Sequence, residues 1–308
     1  MSRIICVGQA LIDVIVKGHE PGNKLAESSS ISPGGEAFNE AVWLSKLGDN
    51  AAIYGRIGND TGGTLLKAKA IHSGVDMSLV GASEETPVTI MFTKEDGSRP
   101  SITSTAHNLP GFVPDPSLCD DADVVMLSGL FRAPFKKAEE IIRFARHFMG
   151  KPTKVFCDVK MPRDFEVNIE DYYSIFPYID YISPNYEEAK YLTGLEDPYD
   201  MADAFHDMGV GNVMIKLGPD GVMARTSRKH IAMSAYPVEV ADMIGCGDAF
   251  AAGFVHRLGQ GAEFRECLEF ATACGALCAT ARGTVAGAAT EEEVEHFMAT
   301  HSKKPLKK

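Results

Sequence analysis

The 308-residue sequence predicts an α/β fold built on a mostly parallel sheet, with a small β flap laid over one end of it. Three observations predict this. From residue 120 onward, short apolar runs alternate with amphipathic stretches, which is the rhythm of βαβ units. Each apolar run ends in a polar residue or a glycine. Between residues 88 and 106, Val88, Ile90 and Phe92 alternate with Thr89, Met91 and Thr93, and Glu95-Asp96-Gly97-Ser98 supplies a turn, so that segment reads as a hairpin.

Taken in order, Arg3 to Val7 and Leu11 to Val16 read as strands, 37 to 47 and 61 to 73 as helices, and 88 to 106 as the flap. Then come the strands Val124-Val125-Met126-Leu127, Val155-Phe156-Cys157, Tyr181-Ile182 and Val213-Met214-Ile215, with helical patterns at 135 to 149 and 187 to 193. The strand ends carry Ser128-Gly129, Asp158, Ser183 with Asn185, and Lys216 with Gly218. In an open α/β sheet the crevice lies beyond the carboxyl ends of the strands, so these residues are expected round one cleft. No linker-like stretch or internal repeat divides the chain. A single domain over 1–308 is expected, its lid drawn from about 11–33 and 86–107.

Composition narrows the function. With 45% hydrophobic and 23% charged residues the chain suits a soluble globular protein. No apolar run reaches the roughly 18 residues of a membrane span, and Met1-Ser2-Arg3-Ile4 enters a strand without a signal-peptide layout, so a cytoplasmic location is expected. The seven cysteines form no Cys-x-x-Cys pair and the nine histidines no His-x-x-x-His pair, so neither a disulfide framework nor a structural metal is expected. A net charge of −12 disfavours nucleic acid and anionic membrane as partners. P-loop, Gly-x-Gly-x-x-Gly and Gly-x-Ser-x-Gly signatures do not occur where their folds require them.

The most informative local feature is Gly245-Cys246-Gly247-Asp248, which runs straight into the apolar stretch 249 to 255. Glycines around one residue let consecutive N–H groups face a single point, and a following helix adds its positive end there, so the turn suits a phosphate. Asp248 beside it reads in two ways, as a helix N-cap or as a base that activates an attacking hydroxyl.

Two stretches far apart resemble one family. Gly34-Gly35-Glu36-Ala37-Phe38-Asn39 and the residues up to Gly48, followed by Gly55-Arg56-Ile57-Gly58-Asn59-Asp60, are similar to the N-terminal signature of the ribokinase-like, or PfkB, carbohydrate and nucleoside kinases. Asp242-Met243-Ile244-Gly245-Cys246-Gly247-Asp248-Ala249-Phe250 is similar to the C-terminal signature, and Ser183-Pro184-Asn185-Tyr186-Glu187-Glu188 lies between them. The resemblance spans nearly the whole chain. It implies a three-layer α/β/α sandwich with a mostly parallel sheet and a β-sheet lid, and transfer of the γ-phosphoryl of ATP to an alcohol group of a small sugar.

Carried over residue by residue, the resemblance implies that Asp248 is the catalytic base and that the backbone of Gly245, Cys246 and Gly247 with Asp248 forms the anion hole. It implies that Asp13, a short carboxylate read at the end of the first strand, serves the acceptor with Gly34, Gly35 and Asn39, and that Asn185 and Glu188 organise Mg2+ and phosphates, Glu188 through water. Asn185 with Glu188 three residues on is equally the pattern of a capping box. ATP is expected over Lys216, Gly218 and Gly221 and against 273 to 283. Lys216 is open between a phosphate contact and pairing with an acidic neighbour. Asp242 matches a site that binds a monovalent cation in many relatives, but Met243 replaces the usual Thr, which leaves K+ activation open. Cys246 replaces the usual Ala, placing a thiol at a helix start.

Asp158-Val159-Lys160-Met161-Pro162-Arg163 departs from the Asp-x-Asn-x-Arg pattern of fructokinase-like members. Arg99 is a candidate contact for an acidic or phosphorylated sugar, and His107 or Phe38 for a stacked base. The alternatives to a sugar kinase are a nucleoside kinase of the same family and a catalytically silent sugar-binding relative. Apolar alternation in the flap suggests that two lids pair into a homodimer.

Overall fold

The computed structural model describes residues 1–18, 26–93 and 100–303. The chain opens with β1 (Arg3–Gly8), β2 (Leu11–Lys17), β3 (Ser28–Gly34), α1 (Glu36–Leu47), β4 (Asn50–Gly58), α2 (Thr61–His72), β5 (Val80–Ser83), β6 (Val88–Thr93) and β7 (Ser101–Thr103). It continues through β8 (Val124–Leu130), α3 (Ala138–Ala145), β9 (Lys154–Val159), β10 (Tyr181–Ser183), α4 (Tyr186–Thr193), α5 (Pro198–Asp207) and β11 (Asn212–Lys216). The last elements are β12 (Val222–Arg225), β13 (His230–Met233), α6 (Cys246–Gly259), α7 (Phe264–Ala279) and α8 (Glu291–Thr300).

Among the described residues the main sheet has nine strands in the order β13-β12-β11-β10-β9-β8-β1-β4-β5. It is parallel from β5 to β11, and β12 and β13 add an antiparallel edge. Strand β1 shows why the sheet sits in the middle layer. Ile4 and Cys6 pack with α1, α6 and α7, while Ile5 and Val7 pack with α3 and α5 on the opposite face. Alternate side chains project to opposite faces of a strand, so a strand apolar at every position is stable only when covered on both sides.

The strand order reverses at β1, which pairs with β4 on one side and β8 on the other. Chain leaving the ends of two such strands diverges and opens a crevice between them. Here the crevice is roofed by the second sheet, β3-β2-β6-β7. Within it β2 runs antiparallel to β3 and parallel to β6, and β6 and β7 form the antiparallel pair expected as a hairpin. The expected turn of that hairpin and Arg99 lie outside the described residues. The segment expected as the hairpin's end, Thr105–Asn108, is a short 3-10 turn.

Two of the expected readings are corrected. Asp13 does not end the first strand; it is the third residue of β2, in the lid. The strand-end reading failed because β1 stops at Gly8 and the chain crosses to the lid within two residues. The helix expected over 135 to 149 is shorter, α3 followed by a 3-10 turn at Arg146–Phe148. No helix among the described residues is long and apolar enough to cross a membrane.

Candidate active site

Between the lid and the strand ends lies a cavity of about 630 Å³. One wall is the turn into α6. Gly245 caps that helix with φ +82°, and a Cβ there would stand 2.6 Å from the Thr284 carbonyl oxygen, so glycine is required on both counts. Asp242 ties the neighbouring loops together by accepting from the N–H groups of Ile244 at 3.2 Å and Gly283 at 3.3 Å. The Cys246 N–H turns back to Met243 O at 3.4 Å and the Ala249 N–H to Gly245 O at 2.9 Å. Gly247 and Asp248 line the cavity, and their N–H groups, in the first turn, have no acceptor within the helix.

The capping reading of Asp248 does not hold. It is the third residue of α6, no side chain caps that helix, and its carboxylate points elsewhere. Its Oδ2 accepts from Asn39 Nδ2 at 2.7 Å and its Oδ1 from Lys160 Nζ at 2.9 Å. Asn39 reaches it from the first turn of α1, which begins after Gly35 at φ +95°. There a Cβ would meet the Gln9 carbonyl at 2.6 Å, so the Gly-Gly bend lets α1 start against the β1–β2 crossing. The amide Oδ1 of Asn39 is buried without a partner.

Lid and sheet then surround this carboxylate with others. Burial raises the Asp13 pKa to about 7, with Glu36 and Asp248 adding to it and Arg163 opposing. Glu40, fully buried, accepts a hydrogen bond from the Ser128 hydroxyl. Burial, then Asp158 and Asp248, push its pKa well above the ordinary range. One oxygen from each of Glu40, Asp158 and Asp248 lies within 4.8 Å of the others. The counter-charge to this cluster comes from two lysines. Lys216 Nζ is 2.6 Å from Asp158 Oδ1, and Lys160 Nζ is 3.0 Å from Asp158 Oδ2. Burial works against ionisation of Asp158, but the two ammonium groups outweigh it and hold its pKa below the usual range.

At the far end, Asn185 and Glu188 form the capping box of α4. Asn185 Oδ1 accepts from the Glu188 N–H at 2.9 Å and Glu188 Oε2 from the Asn185 N–H at 2.7 Å. Both nevertheless line the cavity, so the capping geometry aims them at it. Burial raises the Glu188 pKa to about 7, with Lys216 and Lys160 opposing. Oxygen donors of this kind fit a hard divalent cation that keeps part of its water. Cys246, half-buried, lines the same wall, and a hydrogen bond with the Cys278 thiol draws its pKa below the ordinary range.

Of the residues singled out in the sequence, Asp13, Gly35, Asn39, Asn185, Glu188, Lys216, Gly218, Gly221, Gly245, Cys246, Gly247 and Asp248 line this one cavity. Gly34 lies behind Asp13, where a Cβ would run into the carboxylate, and Asp242 stands outside the lining. The stacking expectations fail: Phe38 is fully buried in the core and His107 is held to Ser104 O at 2.7 Å, so neither lines the cavity. Lys216 does pair with an acidic neighbour, and it lines the cavity while doing so. Sequence reasoning missed Lys160, Arg163 and Thr89 as lining residues. The signal was present in the departing motif 158 to 163, where a lysine and an arginine follow a strand-end aspartate.

Comparison with known proteins decides the family. A family model described as pfkB family carbohydrate kinase matches residues 1–291. The chain belongs to that family. As a pfkB carbohydrate kinase it is a phosphotransferase with an alcohol acceptor. It is 27% identical to a ribokinase of Haemophilus influenzae over 289 residues, covering 91% of this chain and 92% of that one. It is 25% identical to the probable fructokinase-7 of Arabidopsis thaliana over 322 residues, covering 97% and 93%. Among solved structures, the Arabidopsis thaliana ribokinase complexed with ribose and ATP superposes with a TM-score of 0.83 at 26% identity, covering 96% of this chain and 98% of that one.

Proposed function

We propose that this pfkB kinase moves the γ-phosphoryl of ATP to a hydroxyl of a small sugar, with Asp248 as the general base. One observation carries the reading: Asp248 sits at the first turn of α6, where the lid-side polar groups Asp13 and Asn39 and the strand-end cations Lys160 and Lys216 meet in one cavity. The sugar lies under the lid, its hydroxyls bonded to Asp13 and to the free Oδ1 of Asn39. The ATP phosphates lie along Lys216, Gly218 and Gly221.

In the reaction Asp248 takes the proton of the acceptor hydroxyl, whose oxygen bonds to the γ-phosphorus as the bond to the β-phosphate oxygen breaks and its electron pair leaves with ADP. Charge on the phosphoryl oxygens is met by the N–H groups of Gly247 and Asp248 and the positive end of α6. Mg2+ held through Asn185 and Glu188 would neutralise phosphate charge when bound. A monovalent cation beside Asp242 is not part of this proposal, because its carboxylate is engaged by Ile244 and Gly283.

The test is ADP release with Mg2+ and ATP over a panel of pentoses, hexoses, sugar acids and nucleosides. An acceptor-dependent signal from a sugar supports the reading; a signal from nucleosides alone moves it to a nucleoside kinase, and no signal favours a silent binding relative. We also infer that two lids pair. Ile31, Val14, Ile90 and Ile102 fall in one register row on the face opposite Asp13 and Thr89, with Ile31 65% and Ile102 67% exposed. Sedimentation of Ile102→Asp against the wild type tests it, a dimer becoming a monomer if the row is the interface.

A further inference from the structure

Both oxygens of Asp248 are engaged, one by Asn39 and one by Lys160, so an acceptor hydroxyl that hands it a proton competes with one of them for a carboxylate oxygen. Among the described residues the Asn39 amide donates to Asp248 alone. Lys160 has a second counter-ion: its Nζ also stands 3.0 Å from Asp158 Oδ2. It can leave Asp248 and keep a counter-ion. The direction it can turn is also set. A Cβ built on Gly247 would lie 4.0 Å from Lys160 Nζ and 3.4 Å from Lys216 Nζ, so both ammonium groups already flank the first turn of α6.

We propose that Lys160 is a phosphoryl-binding residue of the reaction: the acceptor hydroxyl takes its place on Asp248 Oδ1, and the ammonium, tethered by Asp158, joins Lys216 on the transferred phosphoryl. The inference rests on the phosphoryl-transfer reading above. Charge balance gives it a driving force. Before transfer, Lys160 and Lys216 face Asp158 and Asp248, two positive charges against two negative. Once Asp248 has taken the hydroxyl proton it is neutral, and one positive charge is free for the phosphoryl group. Lys160 keeps its own proton throughout; the new bond is acceptor oxygen to phosphorus, the broken one phosphorus to the β-phosphate oxygen.

Lys160→Met and Lys160→Gln test this, the second preserving a hydrogen bond to Asp248 in case the first folds poorly, with melting temperature as the control. The acceptor is the sugar that gives the largest ADP signal. The expected result is a kcat about 100-fold lower with the acceptor KM within a few fold. Calorimetry supplies the readout that a structural role would not move. With Mg-ADP and the acceptor present, variant and wild type bind ADP within about twofold; on adding aluminium fluoride, a planar anion in place of the phosphoryl, the wild type tightens at least about tenfold and the variants do not. A folded variant that keeps its kcat, or that gains affinity from aluminium fluoride as the wild type does, overturns the proposal. A wild type that releases no acceptor-dependent ADP overturns the phosphoryl-transfer reading itself, a failure distinguishable because it appears before any substitution.

Discussion

On the lid side of the cavity Asp13 keeps its proton up to about pH 7, whereas on the strand-end side Asp158, more deeply buried, is held ionised by Lys160 and Lys216. Burial opposes charge at both positions, and the neighbours decide the outcome. Asp13 faces Glu36 and Asp248 with only Arg163 in opposition, so it is suited to exchanging hydrogen bonds with neutral hydroxyls. Asp158 anchors two ammonium groups beside the first turn of α6. One cavity thus has a lid-side half whose carboxyl holds its proton and a strand-end half whose carboxylate is paired with two lysines, and Asp248 stands where they join.

Four substitutions break or sharpen this contrast. The largest effect is expected from Gly245→Ala, which forces a left-handed residue to carry a Cβ against the Thr284 carbonyl and moves the N–H groups behind it. Turnover should fall about 10²- to 10³-fold with sugar affinity little changed; kcat near the wild-type value would mean that the turn does not bind the reacting group.

Next is Asp158→Asn, which removes the fully buried counter-ion shared by two partly buried lysines. Stability in urea should drop by about 3 to 5 kcal/mol. A loss under about 1 kcal/mol would show that the lysines find other partners and that the strand-end half is not organised by this carboxylate.

Third, Asp13→Asn addresses pH. The folded protein holds the Asp13 proton to about pH 7, against an ordinary value of 3.8, so the stability this group contributes is fully present below about pH 4 and lost as pH rises through about 7. The loss amounts to at most about 4 kcal/mol over that window. The melting temperature of the wild type should therefore fall from pH 5 to pH 8 more steeply than that of the variant, and parallel curves would contradict the assignment. Glu188, also raised to about 7, leaves a residual slope in both.

The smallest change is expected from Cys246→Ala, since among the described residues the thiol meets only the Asp242 carbonyl, at 4.0 Å, and the Cys278 thiol; kcat within about twofold is expected, and a larger loss would give the thiol a part in the chemistry.

What the sequence made legible divides along physical lines. The strands β8, β9, β10 and β11 were readable because a strand covered on both faces must be apolar at consecutive positions, and that leaves a local trace. The antiparallel edge β12 and β13 was not read, since two four-residue strands leave too short a pattern. The parallel pairing of β2 with β6 is also silent in the sequence, because alternation specifies a face and not a neighbour. In the site, the glycines and Asp248 were legible because a turn with special backbone geometry is local. Lys160 was not, because its meeting with Asp248 brings together residues 88 apart.

Asp248 as the base is the central claim, and Asp248→Asn tests it most directly. Acceptor-dependent ADP release should fall about 10²- to 10⁴-fold while sugar affinity, measured by calorimetry, stays within a few fold. A folded Asp248→Asn protein that turns over at the wild-type rate would contradict it.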